Sequence, residues 1–82
     1  MKKNEFTDLL TSDGWKNTKS YDCEVWYKGR ILISIKYDED NKAFIEIPKG
    51  EKGYVSEIKD ISFTPYRILI RWNGDDEWFM RY

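Results

Sequence analysis

The 82 residues suffice for one domain, near the size at which a single hydrophobic core is only marginally adequate. Fourteen basic and fifteen acidic side chains leave a net charge of −1, so the molecule as a whole has no electrostatic drive toward nucleic acid or an anionic membrane. One cysteine excludes an intramolecular disulfide, and the lack of histidine leaves too few soft ligands for zinc, so neither metal nor cofactor is expected.

Stability must come from packing, and four Trp, six Tyr and four Phe supply large apolar surfaces for it. No apolar run approaches the roughly 18 residues a membrane span needs, and Met1-Lys-Lys-Asn-Glu is not followed by an apolar targeting segment. The expectation is a soluble, cytoplasmic, single-domain protein over residues 1–82 that meets no membrane.

Phe6, Leu9 and Leu10 fall at i, i+3 and i+4, one face of a short helix that starts after Asn4 as N-cap. With Asp13 as its last residue, Gly14 takes the positive-φ stop position and Trp15 packs back on Leu10. So short a helix persists only if its apolar face docks on a sheet. Residues 16–20 are polar and read as a loop.

Cys23, Val25 and Tyr27 alternate with Glu24 and Trp26 as in a strand, and Lys28-Gly29 suits a two-residue hairpin turn. Arg30 to Tyr37 returns with Ile31, Ile33, Ile35 and Tyr37 facing the core. Asp38 to Lys42 forms a charged turn, Ala43, Ile45 and Ile47 point inward, and Pro48 ends the ladder. Lys49 to Gly53 is a turn in which both glycines are free to take positive φ. A strand restarts at Tyr54, its alternation interrupted where Ile58 and Ile61 bracket Lys59-Asp60 and again at Ser62 to Pro65. Tyr66, Ile68, Ile70 and Trp72 then alternate with Arg67, Leu69 and Arg71, and a loop to Glu77 leads into Trp78–Tyr82. The predicted fold is mostly β (α+β): a short N-terminal helix, then an antiparallel meander of about six strands.

Ile45-Glu-Ile-Pro-Lys-Gly-Glu-Lys-Gly-Tyr-Val-Ser-Glu-Ile58 followed by Arg67-Ile-Leu-Ile-Arg-Trp-Asn-Gly74 resembles the small Src-homology-type barrels, including their KOW and Tudor-like branches. The matching positions are Pro48, Gly50, Gly53, Val55, Ile58, Ile70, Trp72 and Gly74, about half the chain. The resemblance implies a small barrel, either enlarged or opened into a curved six-stranded sheet packed on the helix. Barrels of this look occur in small phage or mobile-element proteins, and the resemblance implies a binding role, since members of the family bind proline-rich peptides, modified lysines, nucleic acid or RNA polymerase partners; no functional residue transfers with it.

Catalysis is not expected, because the usual general base near neutral pH is absent and Cys23 has no imidazole to activate it. Cys23 reads as a small buried hydrophobe. Asp38-Glu39-Asp40 and Asp75-Asp76-Glu77 lack the alternating spacing of a calcium loop and read as solvated turns, or as acidic surfaces for a basic partner. Arg67, Arg71 and Arg81 form a prospective basic stripe unless acids such as Glu77 or Glu57 pair with them. Trp78 and Tyr82 share one face of the last strand, and Phe79 shares the other with Arg81.

The expected binding residues are therefore Arg67, Arg71, Asp75, Asp76, Glu77, Trp78, Phe79, Arg81 and Tyr82. The leading expectation is a non-enzymatic module that binds a host protein and inhibits or redirects it. A nucleic-acid-binding barrel and a structural homodimer or larger homo-oligomer are the alternatives.

Overall fold

A computed structural model describes residues 1–82. Helix α1 spans Lys3–Ser12, and eight strands follow: β1 Lys16–Lys19, β2 Glu24–Lys28, β3 Ile31–Tyr37, β4 Ala43–Glu46, β5 Lys52–Tyr54, β6 Ile58–Thr64, β7 Arg67–Trp72 and β8 Glu77–Arg81. The first five form one antiparallel sheet in sequence order, the last three a second. A single 3-10 turn over Val55–Glu57 carries the chain between them. The strands thus number eight instead of six and do not close into a barrel.

The helix ends as its sequence dictates. The Trp15 amide donates to the Leu10 carbonyl and the Gly14 amide to that of Thr11, both at 3.0 Å, with Gly14 at φ 85°. These two bonds define a Schellman stop. Its start departs from expectation: Lys2, not Asn4, is the N-cap and offers no side-chain bond. The helix is anchored instead by ion pairs to β2. Lys3 meets Glu24 at 2.8 Å and Asp13 meets Lys28 at 2.9 Å.

These pairs explain why β2 is turned over relative to its sequence pattern. Trp26 is buried opposite Ile33, whereas Tyr27 is exposed and Cys23 is only half-buried, outside the core and beside Ser20. Glu24 and Lys28 flank Trp26 on the inner face because the helix supplies their counter-charges. Residues 16–19 are a strand, not a loop, paired antiparallel to β2 although every residue is exposed. The hairpin turn between β2 and β3 is Gly29-Arg30, one residue later than expected.

The core joins Phe6 and Leu10 of the helix to Ile33, Ile35 and Ile45 of the larger sheet and Ile58, Ile68, Ile70 and Trp72 of the smaller. Tyr37, expected inside, is exposed. A bulge at Lys59 shifts the β6–β7 register, so Ile58 pairs with Trp72 and Ile61 with Ile70. Two isoleucines three apart face the same way along a strand only if one extra residue intervenes. Gly50 has φ 89°, but Gly53 does not take positive φ; a Cβ there would lie 2.4 Å from the Trp72 ring. Its missing side chain lets the two sheets meet.

Candidate functional site: the outer face of the three-stranded sheet

On β7, Ile68, Ile70 and Trp72 are buried, so period-two alternation turns Arg67, Leu69 and Arg71 outward. The register places their neighbours. Thr64, Arg67 and Arg81 form one cross-strand row; Ser62, Leu69 and Phe79 form the next; Asp60, Arg71 and Glu77 form the third. The face is basic at one end, apolar in the middle and mixed at the other, where the Asp75-Asp76 turn adds two further carboxylates.

Arg67 and Arg81 stand directly opposite each other, and no carboxylate lies within ion-pairing distance of either. Both instead approach the Phe79 ring, Arg67 with its guanidinium carbon 4.7 Å from the centroid and Arg81 at 6.0 Å. Phe79 remains 44% exposed. Arg71 differs: its Nε lies 3.9 Å from Asp60, a long pair, with Glu77 opposite on β8. Like charges held side by side cost stability, and neither Arg67 nor Arg81 forms a salt bridge.

Tyr66, 77% exposed at the β6–β7 turn, completes the basic corner. It lines an open depression of about 810 Å³ with Thr64, Pro65, Arg67, Arg81 and Tyr82. Sequence periodicity placed Tyr66 inward with Ile68; the turn at Pro65 breaks the alternation there. Leu69 was legible as sharing the arginine face, and it is half-buried there.

Trp78 and Tyr82 lie on the inner face. Trp78 packs edge-on against Trp72 with centroids 4.6 Å apart. Tyr82 donates its hydroxyl to Asp13 at 2.6 Å, stacks edge-on with Trp15 and receives the Lys28 ammonium 4.6 Å from its ring centre. Burial, then the bond to Asp13, raises the Tyr82 phenol pKa well above its ordinary value. These two aromatics serve the core and the helix anchor.

The acidic turns separate in role. Asp38 accepts from the amides of Asp40 and Lys42, both at 2.9 Å, and from the Tyr54 hydroxyl at 2.6 Å, which together hold its carboxyl pKa below the ordinary range. It builds its turn. Asp75, in the left-handed region at φ 73°, Asp76 and Glu77 are exposed. No three His, Cys, Asp or Glu side chains gather closely enough to hold a metal ion. No helix is long and apolar enough to cross a membrane.

Fold and surface together define a small two-sheet antiparallel β protein with one docked helix and one chemically differentiated outer face. Comparisons with family models, with curated proteins and with solved structures found no match for the chain.

Proposed function

We propose that this protein is a non-enzymatic binding module that docks on another protein through the outer face of β6–β8, acting by occluding or redirecting that partner. The observation that carries the reading is the Arg67–Arg81 pair, adjacent, uncompensated and backed by exposed Phe79. Arginine and aromatic side chains around an apolar centre are the composition of interface hot spots. The acidic residues at the other end suit a partner of mixed charge, with carboxylates meeting Arg67 and Arg81 and basic groups meeting Asp75 to Glu77.

The test is capture from lysate of the host cell by the immobilised protein, compared with Arg67→Glu, Phe79→Ala and, as a control on the opposite sheet, Lys16→Glu. A stoichiometric partner should be held by the wild type and the control and lost with both face variants. Equal capture by all four proteins would refute the reading.

Tyr66 beside the two arginines favours a second reading, in which a short single-stranded nucleic acid stacks on the aromatic rings while its phosphates meet the guanidiniums. A labelled oligonucleotide would then bind with a salt dependence that falls by about one in log–log slope when Arg67 is removed. Absence of binding at low salt rejects it.

A further inference from the structure

We propose that β8 is the self-association edge of this protein: two copies pair antiparallel about Phe79, joining their three-stranded sheets into one of six strands. The inference rests on the free edge of β8 and is independent of the docking reading above, so either can fail alone.

β8 pairs with β7 only, and no backbone hydrogen bond from elsewhere reaches Glu77, Phe79 or Arg81. The phase of the β7–β8 ladder is fixed at both ends, by the Tyr82 amide on the Tyr66 carbonyl at 2.9 Å and the Trp72 amide on the Asp76 carbonyl at 2.8 Å. Antiparallel ladders alternate, so the even-numbered residues of β8 spend their amides and carbonyls on β7. Glu77, Phe79 and Arg81 direct theirs to the open edge.

A two-fold arrangement centred on Phe79 sets those same three residues against Arg81, Phe79 and Glu77 of the second copy. Every free donor and acceptor finds a mate, opposite charges face each other at both ends, and two aromatic rings meet in the centre. Glu77-Trp-Phe-Met-Arg81 is thus complementary to its own reverse.

The other edges are protected against such pairing. β1 carries a lysine at each end, Lys16 and Lys19, β5 is three residues long, and β6 is bent by the bulge at Lys59. Lysines, shortness and bulges are the means by which edge strands avoid association; β8 alone carries opposite charges at its two ends.

Sedimentation of the full chain tests this. So small an interface should give a dissociation constant on the order of 100 μM. Arg81→Glu and Glu77→Arg should each weaken self-association at least about tenfold, because each sets like charges at both ends of the pairing. An equimolar mixture of the two variants restores complementarity and should sediment as a dimer. Phe79→Cys in a Cys23→Ser background should also form an intermolecular disulfide under mild oxidation, since paired Cα atoms would lie about 5.5 Å apart. A wild type that stays monomeric to about 1 mM, or a mixture that associates no better than its components, overturns the proposal.

Discussion

At the scale of single residues, Gly53 shows how a sequence position can be right for a reason its pattern does not display. Glycine between Lys52 and Tyr54 suggests a turn, yet the backbone there is paired strand and the requirement is space for Trp72, whose ring atoms would lie 2.4–2.9 Å from an added Cβ. Trp72 is 6% exposed and braced by Trp78, so the ring has little room to retreat. Gly53→Ala should therefore destabilise by about 1–3 kcal/mol through overpacking. Urea unfolding measures this, and Trp72→Phe in the same chain should recover part of the loss. Gly50→Ala, where φ is positive but nothing lies near, should cost about 1–2 kcal/mol from backbone strain, with no recovery from Trp72→Phe. The glycine was visible in the sequence, but its partner lies nineteen residues away in another sheet.

Among the elements, the helix and β2 form one electrostatic unit. Lys3 and Asp13 are ten residues apart on a helix, about 15 Å, while Glu24 and Lys28 are four apart on a strand, about 13–14 Å. This match of length with complementary charge was the available signal that Glu24, Trp26 and Lys28 face inward. Apolar alternation, which favoured Cys23, Val25 and Tyr27, concealed it. The polar strand β1 carried no such signal, because pairing to β2 alone makes it a strand. Burial opposes the charge on Asp13, but hydrogen bonds from Tyr82, Lys28 and Trp15 prevail and lower its pKa; at Glu24, burial is likewise outweighed by Lys3 and Trp26. Carboxyls with depressed folded-state values contribute stability that is complete above their unfolded values and lost as pH falls through the folded ones. Wild-type stability should therefore decline below about pH 4. Asp13→Asn with Glu24→Gln should cost about 2–4 kcal/mol at neutral pH and flatten that acid decline in urea titrations. Asp38 and Glu46, also depressed, retain the remainder.

For the whole molecule, the two sheets divide their labour, since both give an inner face to a common core while one outer face keeps an arrangement that folding alone disfavours. On the larger sheet's outer face, Lys36 and Lys52 both pair with Glu46, at 2.7 and 3.5 Å. On the smaller, Arg67 and Arg81 repel with no acid between them. If that repulsion is retained for binding, relieving it should stabilise the fold and abolish the interaction together. Arg81→Glu places a carboxylate opposite Arg67 and should gain about 0.5 kcal/mol, a rise of roughly 2–4 °C in melting temperature for a domain of this size. Melting must be followed at low protein concentration, where association adds nothing to stability. The gain should shrink in high salt, because the pair is exposed and screened. Partner capture by the same variant should be lost even though the protein is more stable. A variant that melts lower, or that melts higher and still captures its partner, would show that the two arginines are not held together for recognition.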